Sequence, residues 1–179
     1  MHGIIYCEKC NPTNRIHPKS MTFPSYFSHP ERIDCAQLKT QAEELFSSGQ
    51  FYCSEIVIKI IRDTFCPSIS DEIIAIASGF PIGIGGGGCT CGAVSGGVMA
   101  LGLIFGRTKP EEKVQSAKCM KYARELHDRF QKENKAICCR ILTKNMLANS
   151  EEHKKQCAKL TSEVVGIVTE IILRDERKQ

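Results

Sequence analysis

Gly83-Ile84-Gly85-Gly86-Gly87-Gly88-Cys89-Thr90-Cys91-Gly92-Ala93-Val94-Ser95-Gly96-Gly97 is the centre of a run from Ile73 to Gly106 that contains no charged residue. What flanks the glycines decides the fold. The spacing Gly83-x-Gly85-x-x-Gly88 formally matches a dinucleotide fingerprint, which needs a strand before it, a helix after it and an acidic residue ~20 positions on. Here the preceding apolar residues read as helix, Pro81 interrupts the approach, no second strand follows, and no Gly-Lys-Ser/Thr completes a P-loop. Nucleotide binding is set aside. Four consecutive glycines are costly for stability and allow close backbone approach, so a ligand against that backbone is expected. Cys89 and Cys91 end the run, and thiolates ligate soft or borderline metals and iron–sulfur clusters.

Working outward, Gly92 to Phe105 reads as a buried helix of small and apolar residues starting at Cys91. The uncharged run does not suit a bilayer, because Pro81 and the glycines leave fewer than the ~20 continuous residues a spanning helix needs. The pairs Gly92-x-x-x-Gly96 and Gly102-x-x-x-Gly106 are read as close packing in a soluble bundle. Upstream, Ser70-Asp71-Glu72 opens a short helix to Ser78, Phe51 to Thr64 forms another, and Arg32 to Ser48 a third with Gly49 as its stop. Downstream, Thr108-Lys109-Pro110-Glu111 launches a long helix to about Asn134 and Cys138 opens a short one. Asn149-Ser150 caps the last, whose charged end beyond Arg174 is expected to fray. The reading is all-α, a bundle of about seven helices. Residues 1–30, rich in proline and turns, form an irregular extension, and 31–179 the helical domain.

With 179 residues, 42% hydrophobic and 25% charged, the chain can bury a real core without disulfides, and a net charge of +4 spread along helices excludes a nucleic-acid patch. Eleven cysteines without an export signal point to the cytoplasm, where thiols persist as core fillers, reactive groups or metal ligands. Cys53 and Cys91 open helices, where the backbone dipole favours thiolate. Cys7-Glu8-Lys9-Cys10 sets two thiols on one turn, suited to a second N-terminal metal, with His17 and His29 as further donors. Cys119 and His127 have no local partner.

Cys53, Cys91-Gly92-Ala93-x-x-Gly96, Phe130 with Cys139-Arg140-x-Leu142, and Cys157 together resemble the C_GCAxxG_C_C family of redox-active, cluster-binding proteins, over about residues 50–173. The same module resembles the cluster-bearing part of split-Soret cytochrome c. The resemblance implies a mainly helical, dimeric protein in which Cys53, Cys91, Cys139 and Cys157 ligate an iron–sulfur cluster, 2Fe–2S in preference to 4Fe–4S. Cys89, Cys119 and Cys138 are additional to that pattern. Covalent c-type haem uses C-x-x-C-H, and Asn11 follows Cys10, so no covalent haem is expected.

The leading expectation is therefore a one-electron carrier serving a redox partner protein, an oxidoreductase if it is an enzyme at all. Gly86, Gly87, Gly88 and Gly92 would line the cofactor, the loop amides donating hydrogen bonds to sulfur. Two other readings use the same residues. One is a thiol–disulfide or peroxide-handling enzyme working through Cys7/Cys10 or Cys89/Cys91; the other is a structural zinc protein.

Overall fold

The computed structural model describes residues 23–30 and 32–177. Within them the chain is an all-α bundle, as the apolar periodicity predicts. Its helices are α1 (Cys35–Ser47), α2 (Cys53–Phe65), α3 (Gly92–Phe105), α4 (Lys113–Asn134), α5 (Cys139–Leu142) and α6 (Glu151–Glu176). Asp71–Ala77, expected as a short helix, is wound as a 3-10 segment. Among the described residues the extended structure amounts to an isolated bridge between Thr90 and Cys138.

Helix α3 is apolar on nearly every face because it is the middle of the bundle, in contact with α2, α4 and α6. Its small residues set how close those neighbours come. A Cβ on Gly96 would lie 2.6 Å from the Ser54 carbonyl oxygen, and one on Gly97 would lie 2.6 Å from Leu126 and 2.8 Å from Val164. The uncharged run thus serves close packing inside the protein, and among the described residues no helix is long and apolar enough to cross a membrane. Helix α6 lays Leu160, Val164, Val168, Ile171 and Ile172 into the core, and α1 packs along it.

Three local readings change. The long helix α4 begins at Lys113 rather than at Pro110, because Glu112 reaches back and accepts N–H bonds from Thr108 at 2.8 Å and Lys109 at 3.1 Å. The charged end of α6 stays helical to Glu176: Asp175 is buried, accepting from Lys118 Nζ at 2.6 Å and from the Tyr122 hydroxyl, while Arg174 donates twice to Glu125. The stretch 23–30 joins the core instead of forming part of an appendage. Phe27 stacks between Phe23 and Phe65, and the Tyr26 hydroxyl donates to the Leu103 carbonyl at 2.7 Å. Three aromatic rings within five residues carry more apolar area than a free segment leaves in water.

Gly96→Ala should force α2 and α3 apart and cost on the order of 1–3 kcal/mol, as overpacking of a full core does. Gly102→Ala meets nothing within 4 Å. In mid-helix it should raise stability by about 0.5–1 kcal/mol. Urea midpoints at unchanged m-value read both, and a neutral Gly96→Ala would refute the close packing.

Candidate metal centre

Four elements each deliver one cysteine to a common cavity. Cys53 is the first residue of α2, Cys91 the N-cap of α3, Cys139 the first residue of α5, and Cys157 sits in the second turn of α6. All four line a cavity of about 430 Å³. They are close enough to oppose one another's ionisation: Cys53 with Cys139 and Cys157, Cys91 with Cys53 and Cys139, Cys157 with Cys91 and Cys139.

A backbone clamp brings two of them together. The Cys91 N–H donates to the Ile137 carbonyl at 2.8 Å, Cys139 N–H to Cys89 at 2.6 Å, and Arg140 N–H to Gly88 at 3.1 Å. The Arg140 guanidinium adds a bond to the Gly87 carbonyl at 3.0 Å. Residues 88–91 and 137–140 therefore meet as a minimal antiparallel pair, which fixes Cys91 beside Cys139 across almost fifty residues of chain. Cys89 is exposed, and the Cys138 sulfur is turned to the Gly88 carbonyl at 3.1 Å. Neither lines the cavity, and Cys119 lies on α4 against the core.

The glycine loop does something different from what its composition suggested. Five consecutive residues, Ile82 to Gly86, have φ between 55° and 85°. Left-handed backbone costs a residue with a Cβ about 1–2 kcal/mol, and two of the five are isoleucine. The turn satisfies its own amides: Gly86 donates to Pro81, Gly87 to Ile84, Gly88 to Ile82, and Cys89 to Gly83. Gly86, Gly87 and Gly88 thus lie outside the cavity lining, with N–H groups committed to loop carbonyls instead of cofactor sulfurs. The loop amide that faces a cysteine sulfur is that of Ile82, toward Cys53.

Two glycines are required by contact. A Cβ on Gly92, which does line the cavity, would fall 2.4 Å from the Cys53 sulfur. One on Gly83 would fall 2.5 Å from the Cys89 nitrogen and 2.8 Å from Cys139 Cβ, prising the clamp open. A further regularity escaped the sequence reading although it is visible there. Ser95, Thr143 and Thr161, each four residues after a site cysteine, donate their hydroxyls to the carbonyls of Cys91, Cys139 and Cys157 at 3.3, 3.0 and 2.8 Å. Cys53 lacks this feature, its fourth successor being Val57.

Burial dominates the electrostatics. Desolvation pushes the Cys53 thiol up to about 11 and those of Cys91 and Cys157 up to about 12, and it raises Cys139 as well. Amides of Ile82 and Ser54 oppose the rise at Cys53, and those of Ala93 and Val94 at Cys91. The expectation that a helix start makes Cys53 a ready thiolate is thereby corrected: the backbone field is present, but loss of water outweighs it.

His153 also belongs to the site and was missed. Half-buried in the cavity lining, it places Nε2 3.8 Å from the Cys157 sulfur, one turn away on α6. The i, i+4 spacing to Cys157 was the available signal. His29 instead pairs with Glu176 at 2.6 Å. Cys7, Cys10 and His17, the proposed N-terminal donors, lie outside the described residues. Among those residues no three His, Cys, Asp or Glu side chains are arranged as a ready site for a metal ion; what the four cysteines share is the cavity they line.

No curated protein and no solved structure is significantly similar to the chain. A family model described as "Putative redox-active protein (C_GCAxxG_C_C)" matches residues 51–171, a span that holds all four converging cysteines and the clamp between them. By that match over most of its length, the chain is a member of the C_GCAxxG_C_C family.

Proposed function

We propose that this protein is a one-electron carrier whose Cys53, Cys91, Cys139 and Cys157 hold an iron–sulfur cluster, 2Fe–2S in preference to 4Fe–4S. The observation that carries the reading is the convergence of four thiols from four separate elements on one cavity. Four thiolates are the ligand count of such centres. The donor set also fits the group in its surroundings. The α2 and α3 N-termini direct their positive ends toward the cavity, and the amides of Ile82, Ala93 and Val94 favour negative sulfur, as an anionic thiolate-bound centre requires. When bound, the cluster supplies reversible one-electron chemistry. The chain supplies the four sulfurs, limits water access with Phe46, Phe51 and Leu160, and keeps Gly92 free of a side chain so that Cys53 can reach inward.

Metal binding must expel four protons held by desolvated thiols, so affinity should fall as pH falls. Tyr52 and Ile82 line the cavity and are 59% and 52% exposed, a rim that a redox partner protein could cover. We place the protein in the cytoplasm as a homodimer, and assign any second metal to Cys7 and Cys10.

The thiol–disulfide reading loses support at the Cys89/Cys91 pair. A thiol–disulfide enzyme needs an accessible thiol of lowered pKa beside a resolving partner. Cys91 is buried and raised to about 12 while Cys89 is exposed. Four thiolates serve a single zinc ion as well as a cluster, and metal analysis separates the two.

Full-length protein purified without oxygen should contain iron and inorganic sulfide in comparable amounts, with visible absorbance that bleaches on reduction. Serine at 53, 91, 139 or 157 should remove most of that colour, while Cys119→Ser keeps it. Stoichiometric zinc without sulfide would instead establish the structural-zinc reading. On the metal-free chain at pH 7, a maleimide should label exposed Cys89 well before Cys53, Cys91 and Cys157. Between about pH 7 and 9 the rates at those three should climb roughly tenfold per pH unit, as the thiolate fraction of a high-pKa thiol does. Faster labelling of Cys91 than of Cys89 at pH 7 would favour the thiol enzyme.

A further inference from the structure

We propose that His153 is a positioning residue for the centre: its Nε2–H donates a hydrogen bond to the Cys157 sulfur and raises the potential at which the site accepts an electron. This rests on the cluster reading above and goes beyond it to a residue outside the cysteine pattern.

The backbone decides which ring nitrogen carries the proton. The Asn149 N–H donates to His153 Nδ1 at 3.4 Å. A backbone N–H is always a donor, so Nδ1 must present its lone pair, and the proton of the neutral ring sits on Nε2. That nitrogen is the one 3.8 Å from Cys157 Sγ, within N–H···S reach. The ring is held from the start of α6 rather than by chance packing. Asn149 adopts φ 64°, and Ser150, the N-cap, accepts the His153 backbone N–H at 3.2 Å.

The two roles of His153 are separable. Capping uses its backbone, which any residue retains; the contact with sulfur uses only the ring. A donor aimed at a ligating sulfur stabilises the more negative, reduced form, so losing it should make reduction harder.

The test uses the full chain. On the metal-free protein, long-range proton–nitrogen NMR should show His153 as the Nε2–H tautomer; an Nδ1–H tautomer overturns the proposal without any variant. On anaerobically prepared protein, His153→Ala should shift the reduction potential to more negative values with iron and sulfide content near wild type. His153→Gln, which restores an N–H donor of similar reach, should recover much of the shift. An identical potential in cluster-loaded wild type and His153→Ala defeats this proposal alone. A wild-type preparation without iron and sulfide defeats the cluster reading and this proposal together.

Discussion

Three backbone hydrogen bonds between residues 88–91 and 137–140 are the constraint from which the rest of the site follows. They tie the segment that enters the central helix α3 to the segment that enters α5, and so put Cys91 and Cys139 side by side. The packing of α3 against α2 then brings Cys53 in from one side, and its packing against α6 brings Cys157 from another. The packing against α2 tolerates little change at two glycines, and that against α6 little at Gly97, where a Cβ would lie 2.8 Å from Val164. Gly96 lets α3 meet the backbone of α2, and Gly92 leaves the room that the Cys53 sulfur occupies. The same helix contacts that make the core hydrophobic therefore aim the sulfurs.

That arrangement is costly in isolation, which is the physical reason for proposing it as a cofactor site. Two isoleucines sit in left-handed backbone, and four thiols are gathered where water is scarce and where each opposes the ionisation of others. A positively charged metal centre, as proposed above, would reverse the balance: the four thiols would ionise to hold it, and the helix N-termini and nearby amides, too weak to ionise them unaided, would then act on real negative charge. The strained turn has a matching role, since its first residue directs the Ile82 amide at Cys53.

Much of this was written in local sequence. The 3.6-residue periodicity of apolar side chains, the Asn149-Ser150 cap and Gly49 at the end of α1 located helices that the structure contains. That Cys53, Cys91, Cys139 and Cys157 stand in an ordered motif was also legible, through the family resemblance they carry; that they share a cavity could only be seen in three dimensions. What stayed hidden depended on distant partners or on competing terms of similar size. Nothing near Asp175 announces that Lys118 and Tyr122 will bury it and hold the end of α6. The glycine tract signalled unusual backbone correctly, but its amides turned inward because a left-handed turn has no helical ladder to satisfy them. At Cys53 the dipole argument had the right sign and lost to desolvation, a quantity fixed by burial and not by position in a helix.

The central claim is that four cysteines surround one polynuclear iron centre. Iron-edge X-ray absorption on anaerobically prepared full-length protein tests it most directly. The account predicts a first shell of sulfur alone together with scattering from a neighbouring iron. A shell dominated by nitrogen or oxygen, or iron without an iron neighbour, would contradict it.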